Sequence, residues 1–378
     1  MRFPMPPEAA KYVQEHDQET VELIRTLTEI PAPSNHEEVR AVFCRDWLLQ
    51  HGCEGTYIDD SCSVIFPYHC EPGKKLIVFM AHLDTVFPDQ EIHVKEEDGL
   101  LKAPGIGDDT SNLGVVMMTA RYFAEHQPKG PYGILFVGNS GEEGLGNLRG
   151  ARSIVKTFGS RIHHFIAVDG AMGHCTVNAV GSQRYRVTIH TEGGHSYDKF
   201  GNRNAAHYLA SMIVTLYAMK PPTKAKTTYN VGAISGGTSV NTIPSEASML
   251  FEFRSCDKGC LKEMETMFLS VIESYRNMGI GVDLETLGVR PCKGEVDEQE
   301  QHVLWERVVE IVGRYYGGEI DYDVNSTDAN IPWSEGIPST TIAAVVCGGA
   351  HTYAEWMDPA SIEQGLMTVV NLALSYCE

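Results

Sequence analysis

The chain has 378 residues, long enough to bury more than one core, and its length alone points to two domains. A hydrophobic content of 43% excludes a disordered or fibrous chain, and a formal net charge of −20 argues against a nucleic-acid partner, which would need clustered Lys and Arg. No apolar run approaches the ~20 residues needed to span a bilayer. The N-terminal stretch, with Pro4, Pro6 and Pro7 followed by charges, lacks the apolar core of a signal peptide, so a cytoplasmic location is expected and no membrane partner. The ten cysteines are scattered without a C-x-x-C pair and read as thiols rather than a disulfide framework.

In chain order, residues 19–28 and 36–51 read as helices, the second with Glu37 and Glu38 in its first turn, where negative charge suits the helix dipole. Strand-like pieces follow near 56–66. The run Leu76 to Ala81 is apolar throughout, as in a strand buried on both faces, and it ends on His82, Leu83 and Asp84. A Gly/Pro loop through Gly105, Gly107, Asp108 and Asp109 feeds a helix at 111–126, and N-capping would account for one of the two acids. Tyr132 to Val137 is a second buried strand, breaking into Gly138–Gly146 with Glu142 and Glu143 at its centre. After a helix at 148–158, Phe165–Val168 is a third, ending on Asp169 and Gly170. Strands alternating with helices predict a mainly parallel α/β sheet, whose C-terminal edges lie side by side.

From residue 183 the order changes to β-α-β-β-α-β: strands at Arg184–His190, Thr228–Ile234, Ala247–Arg254 and Ile280–Leu287, with helices at Asn202–Met219 and Leu261–Tyr275. This is the order of a ferredoxin-like α+β unit, taken here as a domain over 183–288 inserted into one formed by 1–182 and 289–378. The first domain resumes with a helix at 300–315, a strand at Ser339–Val346 before His351, and a closing helix at 360–376.

The strand ends and helix starts thus offer His82, Asp84, Asp108, Asp109, Glu142, Glu143, Asp169 and His351. So many carboxylates cannot share one site while ionised unless cations neutralise them. Mixed imidazole and carboxylate donors without Cys suit a catalytic Zn²⁺, with Co²⁺ or Mn²⁺ as substitutes.

The segments His82–Val86, Gly105-x-Gly107–Asp108–Asp109, Gly141–Glu142–Glu143-x-Gly, Val168–Asp169–Gly170 and the late His351 resemble, in order and spacing, the co-catalytic zinc exopeptidases and deacylases of peptidase family M20. Residues 326–330, and 336–338 through to 351–352, look most like its peptidase T branch. The resemblance implies two zinc ions per chain, Asp108 bridging them, His82 and Asp169 holding one, Glu143 and His351 the other. It implies Glu142 as general base, Asp84 as the carboxylate behind the His82 imidazole, and a cis peptide between Asp108 and Asp109. In the inserted lid it implies that His195 steadies the oxyanion in the partner subunit of a homodimer, and that Asn241 and Arg254 bind substrate. The substrate would be a short peptide or, with the same machinery, an N-acyl amino acid. Two positions depart from the family pattern: Thr110 where a basic residue is usual, and Asn325–Ser326 where a Gly pair is common.

Overall fold

The computed structural model describes residues 2–377. It divides into two compact units, residues 2–179 with 294–377, and Val180–Lys293. The larger unit is built on an eight-stranded sheet that runs, edge to edge, Tyr57–Ile58, Val64–Tyr68, Gly133–Asn139, Leu76–His82, Ile162–Val168, Ser339–Ile342, His174–Ala179 and Asp321–Asn325. The four central strands are mutually parallel, and antiparallel pairs enter only toward the flanks. This is the mainly parallel α/β architecture that the alternation of elements predicts.

Leu76–His82 lies in the middle, flanked by hydrogen-bonded strands, and every one of its residues is buried. Its apolar side chains serve both faces. Ile77 and Phe79 join the core under the helices Pro7–Glu29, Asn112–His126 and Ile362–Leu374; Leu76, Val78 and Met80 join a second core with Ile154 and Phe165. Burial of each large apolar side chain contributes about 1.5–3 kcal/mol, so this strand is anchored more firmly than the loops beyond its end. Register sets the functional edge: His82 pairs with Asn139, Met80 with Ala167, and Ile342 with Val168, so the four strands end together.

Some local expectations fail at boundaries. The first helix runs from Pro7 to Glu29, far longer than 19–28, because Pro6 and Pro7 stand at its start, where proline is tolerated. The strand at 339 stops at Ile342, since Ala344 turns its N–H to the side chain of Asn112 rather than to a neighbouring strand. Two short flanking strands, His174–Ala179 and Asp321–Asn325, have no counterpart in the sequence reading.

In the smaller unit the four strands lie in the order Thr227–Gly236, Glu246–Ser255, Gly181–His190, Gly281–Arg290, all antiparallel. Helices Ala205–Tyr217 and Lys258–Asn277 cover one face, through Leu209, Met212, Met264 and Phe268 against Val187, Phe251 and Phe253. The ladder continues outward to Ser182↔Arg290, which extends this unit a few residues beyond 183–288. Among the described residues no helix is long and apolar enough to cross a membrane.

Candidate metal centre

At the C-terminal edge of the large sheet, Asp108 stands between two imidazoles. Its Oδ1 is 3.1 Å from His82 Nε2 and its Oδ2 is 3.3 Å from His351 Nε2. His82 Nε2 also lies 4.0 Å from Asp169 Oδ1, and His351 Nε2 lies 2.8 Å from Glu143 Oε1. Ligand atoms of Asp108, Glu143 and His351 fall within 4.8 Å of one another, as do those of His82, Glu142 and Glu143, and those of His82, Asp109 and Asp169. The sequence-derived residues of the larger unit therefore converge, and the Asp108–Asp109 peptide is cis.

The electrostatics of this cluster follow from burial and proximity. Burial opposes a charge on His82, yet the carboxylates of Asp109, Asp108, Asp169 and Asp84 push it well above the usual imidazole range. Burial, followed by the charge of Asp108, pushes Asp169 up to about 7. Asp109 is driven well above the ordinary carboxylate value by burial and by Asp169. Burial also works against ionisation of Asp108, but hydrogen bonds from His351 and His82 outweigh it and hold the group low. His351 is raised to about 10 by its bonds to Asp108 and Glu143. So many buried carboxylates around two imidazoles call for neutralising cations, and the oxygen and nitrogen donors fit divalent metal ions.

Several neighbours work differently from the sequence expectation. The Asp84 carboxylate is 3.7 Å from His82 Nδ1, whereas the Asp84 backbone carbonyl accepts from Nδ1 at 2.9 Å. A carbonyl can only accept, so it fixes the proton on Nδ1 and turns Nε2 toward Asp108. The carboxylate of Asp84 instead receives the Glu142 and Glu143 N–H groups, each at 3.0 Å, and the Ser34 hydroxyl at 2.7 Å. Asp109 does not cap a helix. It is fully buried and accepts from the His82 N–H at 2.9 Å and from Asn112 Nδ2 at 2.7 Å, tying the loop to the central strand. Glu37 is fully buried and takes the Gly141 N–H and the Arg149 guanidinium, so it bolts down the Glu142 loop rather than serving a helix dipole.

Thr110, at the position where a basic residue is usual, receives the guanidinium of the fully buried Arg40 on its hydroxyl at 3.2 Å. Arg40 also donates to the carbonyls of Ile30 and Leu83, and burial lowers it to about 10. A positive charge thus reaches this place from the helix Glu38–Gln50. Nothing in the local sequence around Thr110 signals it.

Glu355 is the other residue that sequence reasoning missed. It is 1% exposed, and burial raises its carboxyl to about 7. Its oxygens accept the N–H groups of Gly105, Gly107 and Asp108 at 3.1, 2.8 and 2.8 Å. The glycines make this approach feasible: a Cβ on Gly107 would lie 2.8 Å from Cys347 Cβ, and one on Gly105, whose φ is +73°, would lie 2.4 Å from Thr85 Cγ2.

The remaining candidates belong to the smaller unit. His195 and Asn241 are neighbours there: His195 pairs with Thr242, and the Ser196 N–H donates to the Asn241 carbonyl at 2.9 Å. Arg254 directs its fork onto Glu252, at 2.9 and 3.0 Å. A further His163, His164 and Glu300 group has donor atoms within 4.8 Å. Its two rings stack face to face at 4.2 Å and 16°, so their lone pairs run alongside rather than converge.

A family model, peptidase family M20/M25/M40, matches residues 78–375. The chain belongs to this family. It is accordingly an enzyme of the metallopeptidase and amidohydrolase class. A probable carboxypeptidase of Arthroderma gypseum is 23% identical over 263 residues, 61% of this chain; the matched stretch spans 56% of that relative's length. Among solved structures, the aminopeptidase PepT from Bacillus cereus superposes with a TM-score of 0.72 at 19% identity, covering 96% of this chain and 99% of PepT. A dinuclear metal-binding M20 peptidase from Bacillus subtilis superposes with a TM-score of 0.63 at 15% identity, covering 96% and 98%. These likenesses establish the M20 fold.

Proposed function

We propose that this M20 enzyme is a two-zinc exopeptidase that hydrolyses short peptides, with Co²⁺ or Mn²⁺ able to replace zinc. The observation that carries the reading is the position of Asp108, one oxygen toward His82 and the other toward His351. Asp108 would be shared by the two ions, with His82 and Asp169 holding one and Glu143 and His351 the other. When bound, such a pair supplies a water acidic enough to ionise near neutral pH and a polarised amide carbonyl. Glu142 is the general base: it takes the attacking water's proton and later delivers it to the leaving nitrogen. Asp84 keeps Glu142 and Glu143 in place through their N–H groups.

In the smaller unit, His195 is assigned to the oxyanion of a partner subunit's substrate, Asn241 to the substrate carbonyl or carboxylate, and Arg254 to the carboxylate, in exchange for Glu252. The homodimer this requires is supported by Thr227–Gly236, an edge strand with mostly exposed residues, Ile234 among them. Buried thiols at Cys44, Cys53, Cys175, Cys260 and Cys292, none in a disulfide, suit a cytoplasmic place of action.

The test loads the purified protein with zinc, counts the ions bound, and assays di- and tripeptides, blocked at either end, beside N-acetyl and N-succinyl amino acids. Two ions per chain with peptide turnover is the expected result, and the blocked peptides tell which end is recognised. Turnover of N-acyl amino acids alone would make the enzyme a deacylase. One ion at full activity would overturn the two-metal mechanism.

A further inference from the structure

We propose that Glu355 is a positioning residue of the metal centre: without touching a metal, its side chain sets the Asp108 loop and its main chain ties that loop to the one carrying His351. The proposal rests on the two-metal reading above.

Three observations support it. The carboxylate collects three amides of one loop, those of Gly105, Gly107 and Asp108, within 3.1 Å, and the last is the N–H of the residue assigned as the bridging ligand. Glu355 lies four residues beyond His351, and its own N–H is tied back into that loop by the Thr352 carbonyl at 3.2 Å. Its carbonyl receives the Ala103 N–H at 3.2 Å, and the next residue, Trp356, pairs with Lys102. One residue therefore fastens both sides of the gap between Asp108 and His351.

The choice of a carboxylate has a physical reason. The loop around Asp108 turns its N–H groups away from the centre so that the Asp108 side chain can face into it, and buried N–H groups need acceptors. A single carboxylate has lone pairs for three of them, which neither a hydroxyl nor one carbonyl can satisfy in this geometry. Placing an anion beside an already acidic cluster is unfavourable in itself. Its presence here indicates that the three bonds are needed to set the loop. Outer groups of this kind typically change metal affinity by about 10- to 100-fold when altered.

The experiment compares wild type with Glu355→Gln and Glu355→Ala by equilibrium dialysis against Zn²⁺ and by the visible absorption of the Co²⁺-loaded protein. Thermal unfolding of the metal-free forms is measured in parallel. Gln keeps the shape and an acceptor but must turn its NH₂ toward one of the three donors. The expected outcome is a Glu355→Gln protein that unfolds cooperatively, still binds two ions at saturation, and binds at least one of them about 10- to 100-fold more weakly, with an altered Co²⁺ spectrum. Glu355→Ala should be weaker still. Excess zinc should recover kcat in the Gln variant. A Gln variant with wild-type affinity and spectrum overturns the positioning role, even if it is less stable. A wild-type protein that binds no divalent ion would overturn the two-metal reading itself, which separates the two failures.

Discussion

The Asp84 carboxylate grips the backbone of Glu142, accepting its N–H at 3.0 Å while the Asp84 carbonyl orients His82. The side chain therefore governs the Glu142–Glu143 loop, and the main chain governs the imidazole. In Asp84→Asn the His82 contact survives, but an amide NH₂ meets the N–H donors of the loop. The expected result is a fall in kcat of about 10- to 100-fold with the His82-side ion retained, read from steady-state kinetics and metal analysis on one preparation.

Glu142→Gln should leave both ions in place and lower kcat by about 10²–10⁴-fold, the usual contribution of a general base. Glu143→Gln should lose metal as well as activity, because its Oε1 is the partner of His351. Added zinc should then restore part of the Glu143→Gln activity and none of the other. A Glu142→Gln protein that loses metal would reverse the assignment.

The metal-free protein should become less stable as pH rises. His351 is raised to about 10, so its pairing with Asp108 and Glu143 is fully present below the unfolded imidazole value of about 6.5 and is lost as pH climbs through about 10. Asp169, raised to about 7, acts with the same sign at lower pH: it folds most favourably protonated, an advantage lost as pH rises toward 7. Metal ions compete with these protons, so the stabilisation by zinc should grow over the same range. Melting curves with and without chelator from pH 5 to pH 9 check both signs.

Arg40→Met should destabilise the fold by about 2–4 kcal/mol, because the carbonyls of Ile30 and Leu83 would be left buried without donors. Urea unfolding of the metal-free protein measures this directly. A loss confined to the metal-loaded form would instead place Arg40's role at the centre alone.

The residues of the centre were legible because each stands at a discontinuity in hydrophobic pattern. His82 ends an uninterrupted apolar strand, Asp169 ends another, and Glu142 and Glu143 sit among glycines. What supports them was hidden. Glu37 resembles an ordinary acid in a first helical turn, Arg40 an exposed helical cation, and Glu355 an isolated acid in a polar loop. Their roles arise from contacts 104, 43 and 247 residues away in sequence, to Gly141, Leu83 and Asp108. Periodicity reports which face of an element is buried, and it carries no record of which distant amide a buried carboxylate will meet. Asp84 shows the same limit more sharply: its presence in the site was readable, but whether its carbonyl or its carboxylate would face His82 was not.

The placement of the donors also makes the centre lopsided in time. His82 is the last residue of a central strand with hydrogen-bonded neighbours on both sides, and Asp169 directly follows another. Glu143 and His351 lie on connecting loops, and the His351 side chain is 55% exposed. Strand ends open with the global unfolding of the sheet, whereas loops open by local fluctuation. In the two-ion reading, the ion beside His351 should therefore exchange with solution fast and on its own. The ion beside His82 should leave only on the slow clock of the sheet, so that isotopic zinc washes out of this protein in two phases.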